Sequence, residues 1–291
     1  MMSDANQLFI LGTMRWGAWG ANLSASAAAD LLSQSVSCGL TTFDLADIYG
    51  GYTTEALFGQ ALRLSGIPRE RLHLISKCGI VLAGQNSPAA VKNYDLSSQY
   101  IHASVMRSLE QLGTDYLDTL LIHRPSPLMD LHEMAETFRE LRDFGLVRQF
   151  GVSNFDVYAF EQLNRLFPLV TNQVELSLTQ PAALFDNTLL QLRTLGLTPQ
   201  IWSPLGDYLT RADSPTHERI RLVLDRLVRK YDADAAQLLI AWVRHRQSQA
   251  QVILGSTNID RIRAMVQSVA VVLEDSDWYA LLEASRGFEV A

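Results

Sequence analysis

Cysteine is scarce in this chain. Only Cys38 and Cys78 carry a thiol among 291 residues, too few for a disulfide framework, and no Cys-x-x-Cys pair points to zinc. A reducing, cytoplasmic setting is the expectation. Long apolar runs are also missing, since none approaches the roughly 18 residues of a membrane-crossing helix. The opening stretch Met-Met-Ser-Asp-Ala-Asn-Gln holds neither a basic segment nor an apolar core, so no secretory signal is expected. Positive charge is in short supply. The formal net charge is -7 and no basic stripe runs along the chain, which argues against nucleic acid and anionic membranes as partners. No Gly-x-Gly-x-x-Gly follows the first strand candidate, which counts against a Rossmann domain. With an acidic surface and no obvious exposed apolar stripe, a monomer acting on a small molecule is the default.

What is present is apolar and evenly spread: 48% of residues are hydrophobic and 19% charged, which suits a large buried core. Short apolar runs at 8–13, 40–44, 72–77, 116–122, 147–152, 169–173, 198–202 and 251–254 read as eight strands. Each is richer in apolar residues than simple alternation gives, as in parallel strands covered on both faces. Helical stripes lie between them. Ile101, Val105, Leu109 and Leu112 follow Ser97 as N-cap; Leu131, Met134, Phe138 and Leu141 stop at Gly145; Ile220, Val223, Leu227 and Tyr231 form a third. Residues 235–246 read as an additional helix before the last strand, and 275–285 as a terminal helix. The alternation, without linker or low-complexity segment, predicts a single α/β domain over residues 1–291, a (β/α)₈ TIM barrel. Its longest loops, 79–96 and 203–215, are where binding is expected.

The chemistry gathers at the strand ends, where barrel active sites are built. The pivotal stretch is Thr41-Thr42-Phe43-Asp44-Leu45-Ala46-Asp47-Ile48-Tyr49-Gly50-Gly51-Tyr52. An apolar strand stops at a carboxylate, and a phenol follows five residues on. Strand three ends in Lys77, four in His123, five in Ser153-Asn154, six in Asn172-Gln173, seven in Trp202-Ser203 and eight in Gly255-Ser256-Thr257. Each residue alone has a plain structural reading: Asp44 as a turn former, His123 as a bonded interior residue, Trp202 as core. Lys77 alone reads as an ordinary charge, but a lysine directly after Leu-His-Leu-Ile-Ser starts out half buried and demands a partner, for which Asp44 is the natural choice. Together on one rim, these residues describe a pocket. The other five histidines, His73, His102, His132, His217 and His245, have no comparable placement and are read as structural or exposed.

At this point the chain resembles the aldo/keto reductase superfamily and is similar to its YdhF-like oxidoreductases. The resemblance runs nearly the whole length, through the stretch above and through Ile-Ser-Lys-Cys-Gly-Ile, Asp-Thr-Leu-Leu-Ile-His-Arg-Pro, Phe-Gly-Val-Ser-Asn-Phe, Thr-Asn-Gln-Val-Glu and Val-Ile-Leu-Gly-Ser. It implies a catalytic tetrad of Asp44, Tyr49, Lys77 and His123. Tyr49 would protonate the carbonyl oxygen, Lys77 would place positive charge beside the phenol and lower its pKa, and His123 would orient the carbonyl. It further implies NADPH as cofactor. Ser153, Asn154 and Gln173 would hold the nicotinamide carboxamide, and Trp202 would stack on the ring. Ser203, Leu205 and Gly206 would cover the pyrophosphate, with Thr13 and Met14 at the first loop. Gly255, Ser256 and Arg261 fall around the 2′-phosphate, where a guanidinium favours NADPH. The chain departs from better-known branches there: Gly255 stands where lysine is common, and Ala264-Met265 where Glu-Asn is. Trp16, Tyr52, Arg124 and the 79–96 loop are expected to shape the substrate pocket.

Two function classes remain at this stage: a reductase of aldehydes or ketones, and an NADP(H)-binding redox sensor with negligible turnover. The intact tetrad favours the enzyme, since a binding module has no need of the acid. A metal-dependent barrel hydrolase is set aside because no His-x-His or carboxylate cluster stands at the strand ends.

Overall fold

A computed structural model describes residues 8–84, 89–209, 214–247 and 249–289. The expectation about the opening residues lies outside these, as do 85–88 and 210–213 within the two longest loops. Eight strands close into a parallel ring: β1 (Phe9–Gly12), β2 (Thr42–Asp44), β3 (His73–Cys78), β4 (Leu117–Ile122), β5 (Val147–Ser153), β6 (Asn172–Glu175), β7 (Gln200–Trp202) and β8 (Gln251–Leu254). The ring shuts where β1 pairs with β8, Phe9 opposite Val252 and Leu11 opposite Leu254. The apolar density of the strands has a direct cause. Inward side chains Ile10, Ile75, Leu121 and Ile253 pack in the barrel interior, while Phe9, Leu11, Phe43 and Leu74 belong to the main core beneath the helices. A strand with two buried faces cannot alternate.

The surrounding helices are α1 (Ala25–Ser37), α2 (Thr54–Ser65), α3 (Ser98–Leu112), α4 (Leu131–Asp143), α5 (Val157–Leu166), α6 (Thr188–Thr194), α7 (Pro215–Tyr231), α8 (Ala235–Arg244), α9 (Ile259–Gln267) and α10 (Asp275–Arg286). Their starts follow local chemistry. Ser97, Asp130, Asp156 and Ser214 accept first-turn N–H groups, and Asp234 with Gln237 completes a capping box. The additional helix is α8, set between α7 and β8. The terminal helix α10 packs on α7, where buried Asp277 binds Lys230 at 2.7 Å, Tyr231 at 2.7 Å and Arg226 at 3.1 Å. Trp242 and Trp278 stack at 5.3 Å, each indole N–H donating to the other's carbonyl. No described helix is long and apolar enough to cross a membrane.

Two elements differ from expectation. The sixth strand begins at Asn172 and runs to Glu175, not over 169–173. Leu169 and Val170 instead bond Asn164 Oδ1 and the Phe150 carbonyl, so they lead into the strand. Within the 79–96 loop, Ile80–Val81 and Asn93–Tyr94 pair as a small antiparallel ribbon.

Candidate active site

Asp44 closes β2, Lys77 stands one residue before the end of β3, and His123 directly follows β4. Tyr49 begins a turn in which Gly50, Gly51 and Tyr52 have φ of 62°, 69° and 70°. Three successive left-handed residues fold the loop back over the barrel mouth, and at Gly50 a Cβ would meet Thr54 Oγ1 at 2.6 Å. The phenol is thereby delivered to the lysine. Lys77 Nζ lies 2.7 Å from Asp44 Oδ1, donates to Tyr49 OH at 3.0 Å and donates to the Leu45 carbonyl at 2.8 Å. Tyr49 OH is 3.5 Å from Asp44 Oδ2. The ring of His123 meets that of Tyr49 edge-on at 6.0 Å. The four residues assigned to the tetrad are thus brought together, with Lys77 only 1% exposed.

The electrostatics depart from expectation at one point. Burial first, and the charge of Asp44 second, push the Tyr49 phenol well above its usual range. Lys77 was expected to lower it, but its charge is already engaged by Asp44. Burial in turn draws the lysine ammonium downward, against the pull of Asp44. His123 is driven well below the usual imidazole range by burial and by the cations Lys77, Arg124 and Lys92. At neutral pH the phenol therefore keeps its proton and the imidazole is uncharged.

Beside the tetrad, the ends of β5, β6 and β7 form a second group. Ser153 Oγ donates to the Gln173 carbonyl at 2.9 Å and accepts from Asn154 Nδ2 at 2.9 Å and Arg124 Nη1 at 3.1 Å. Asn154 and Ser203, each one residue past a strand, hold φ of 55°. Such backbone is sparsely populated by non-glycine residues and gathers at functional sites. Gln173 turns its amide nitrogen to Asp44 Oδ1 at 2.8 Å, a contact sequence reasoning did not foresee. The Trp202 indole lies under the Arg124 guanidinium at 5.4 Å, its N–H buried without a partner among the described residues. Leu205 packs on the core, and Gly206, with φ of 56°, comes so close to Thr179 that a methyl there would strike it.

The outer positions sort differently. Met14 is exposed at the rim, whereas Thr13 is fully buried and donates to the Asp44 carbonyl at 3.0 Å, clasping β1 to β2. Gly255 has open space around it, and Ser256 and Arg261 lie at the start of α9. Arg261 gives its backbone N–H to Asn258, and its guanidinium bonds no described residue. Tyr52 OH accepts from Leu82 N at 2.9 Å and ties the turn to the ribbon. Trp16 requires correction. It is fully buried against Phe43 and Phe58, beneath the helices and away from the pocket. Trp19, in the same loop, is 43% exposed with its ring 6.3 Å from Tyr49. Glu175 was also missed, because the strand continues past Gln173. Burial raises its carboxyl while Arg124 opposes the rise.

The chain is similar to known proteins over nearly its whole length. The model of the aldo/keto reductase family matches residues 9–286. The chain is 38% identical to the oxidoreductase YdhF of Escherichia coli, over 97% of this chain and 94% of that one. It is 38% identical to a 6-dehydroglucose reductase of Agrobacterium fabrum, over 87% and 86% respectively. A thermostable aldo-keto reductase solved in complex with the inhibitor epalrestat superposes with a TM-score of 0.79 at 26% identity, covering 94% of each chain.

Proposed function

Because the chain belongs to the aldo/keto reductase family, we propose that it reduces aldehyde or ketone carbonyls with NADPH, using Tyr49 as the general acid. The observation that carries this reading is the Lys77 ammonium held between Asp44 Oδ1 at 2.7 Å and Tyr49 OH at 3.0 Å. A nicotinamide supplies hydride to the carbonyl carbon; the protein's part is to deliver a proton to the oxygen and to stabilise charge there. Tyr49 retains its proton at neutral pH, so it has one to give. Once the proton has left, the phenolate faces Lys77, whose ammonium steadies it in a dry setting where charge interactions are strong. His123 is neutral, so its role is to orient the carbonyl by hydrogen bonding, while Tyr49 supplies the proton.

The residues suit the cofactor. Trp202 offers a flat face, and Ser153, Asn154 and Gln173 offer polar groups beside it for a carboxamide. Arg261, with its guanidinium unengaged at the start of α9, suits a 2′-phosphate, and this supports NADPH. Arg124, Tyr52 and Trp19 border the substrate side. Since one relative is named a 6-dehydroglucose reductase, sugar aldehydes are the first substrates to try.

The test pairs fluorescence titrations of NADPH and NADH with turnover assays on a broad carbonyl set, for wild type and Tyr49→Phe. Loss of the acid is expected to lower kcat roughly 10²- to 10⁴-fold, with nucleotide affinity close to wild type. A phenylalanine variant that keeps most of its activity would remove Tyr49 from the role. Tight nucleotide binding without turnover of any carbonyl would point instead to a sensor.

A further inference from the structure

Three glutamines occupy matching positions on consecutive strands inside the barrel. Gln173 of β6 is the register partner of Gln200 of β7, and Gln200 is the partner of Gln251 of β8. Buried amides need partners, and these supply one another. Gln173 Nε2 donates to Gln200 Oε1 at 3.2 Å, and Gln200 Nε2 donates to Gln251 Oε1 at 3.2 Å. At the rim the row ends on Asp44, whose Oδ1 accepts from Gln173 Nε2 at 2.8 Å. At the other end Gln200 and Gln251 line a cavity of about 210 Å³ at the amino-terminal mouth of the barrel, with His73, Thr119 and Gln149.

The direction of this row is dictated by chemistry. Asp44 is ion-paired with Lys77, and a carboxylate only accepts. Gln173 must therefore turn its NH₂ towards it. The second hydrogen of that NH₂ needs an acceptor, which Gln200 provides only by turning its oxygen inward. Its own NH₂ then points to Gln251. Reversing any member would set oxygen against oxygen or NH₂ against NH₂. At Gln173 the result is that both amide hydrogens are engaged, while Oε1 bonds no described residue.

We propose that Gln200 is a positioning residue for the nicotinamide side of the site: it holds Gln173 so that Oε1 is presented to the N–H of the cofactor's carboxamide. This rests on the reading of the protein as a nicotinamide-dependent reductase. Gln200 is buried on β7 and acts through Gln173, not on the reacting atoms. Gln251 steadies Gln200 from the far end. A glutamine that merely filled space would influence stability alone, whereas a positioning role moves nucleotide affinity selectively.

The deciding experiment titrates NADPH against wild type, Gln200→Met and Gln200→Glu, and measures KM for nucleotide and carbonyl separately. Methionine keeps the volume and removes the acceptor. NADPH binding is expected to weaken about fivefold, the scale of one lost hydrogen bond, with KM for the carbonyl unchanged. Glutamate still offers an oxygen to Gln173, Gln251 at the partly exposed end turns its NH₂ to the second oxygen, and affinity is expected to return to within about twofold of wild type. Gln173→Met combined with Gln200→Met should bind no more weakly than Gln173→Met alone. Should Gln200→Met fold poorly, Gln251→Met at the partly exposed end is expected to show the same selective loss in smaller measure. Wild-type affinity in Gln200→Met, or equal impairment of the methionine and glutamate variants, overturns the proposal and leaves the reductase reading standing. Failure of the wild type to bind either NADPH or NADH brings down that reading, and the proposal with it.

Discussion

Asp47 lies between Asp44 and Tyr49 in the chain and is buried. Its Oδ2 accepts from Ser104 Oγ at 2.6 Å, Arg107 approaches only to 3.9 Å, and its Oδ1 is buried without a partner among the described residues. Burial, countered by the Ser104 hydrogen bond and reinforced by the nearby Glu55, raises this carboxyl from 3.8 to about 7. The native state therefore binds more protons than the unfolded chain between these values. Stability attributable to Asp47 falls as pH rises from about 4 to about 7, and the full cost is present above that range. Its ceiling is on the order of 4 kcal/mol. Asp47→Asn, which keeps an oxygen for Ser104, is expected to raise the melting temperature at pH 8 and to change it little at pH 5. Equal shifts at both values would refute the assignment. Of the residues gathered at the barrel mouth, Asp44, Lys77 and His123 stand at strand ends that the apolar runs marked, whereas Tyr49 was read from the loop after β2 and from the family resemblance. Asp47 was legible only as a polar residue in a loop, because its burial comes from α3, more than fifty positions away. Likewise Trp16 and Trp19 sit three residues apart, and only packing against Phe58 of α2 decides which one goes inside.

Helix α2 shows the same dependence on distant partners. Gly59 lies in its interior, where alanine is intrinsically better by about 1 kcal/mol. A methyl group at this position would nevertheless run into the backbone carbonyl of Gln111 at the end of α3. The two helices pack at this point with no room for a side chain. Gly59→Ala is accordingly expected to destabilise the protein by about 1–3 kcal/mol in urea unfolding, the scale of an overpacked core. A gain in stability would show that α3 yields freely. Helix starts were legible because caps are local: Ser97 opens α3 and the 235-onward helix begins where expected. The register of β6 was not. Phe-Pro-Leu-Val is as apolar as a strand, and only the pairing with β5 shows that the register starts at Asn172. The ribbon of Ile80–Val81 with Asn93–Tyr94 joins segments too short to signal pairing by pattern.

For the molecule as a whole, eightfold alternation of apolar runs and helical stripes was enough to anticipate the barrel. Closure, the property that defines it, is visible only in space, where the first strand meets the last. That contact leads us to propose that the chain unfolds as one cooperative domain. Calorimetric unfolding is therefore expected to give a single endotherm, as one domain spanning the chain requires, and two resolved transitions would divide it. The long-range hydrogen bond from Gln173 to Asp44 reaches across the same ring and joins the end of β6 to the Asp44–Lys77 pair. Closure has a further consequence for behaviour in a crowded solution. Every barrel strand has both of its neighbours, so the ring offers no open row of N–H and C=O groups on which a foreign strand can be templated. Fibril growth by strand addition would first have to rupture a seam. The small ribbon beside the pocket has free flanks, and its two-residue strands are too brief to seed one.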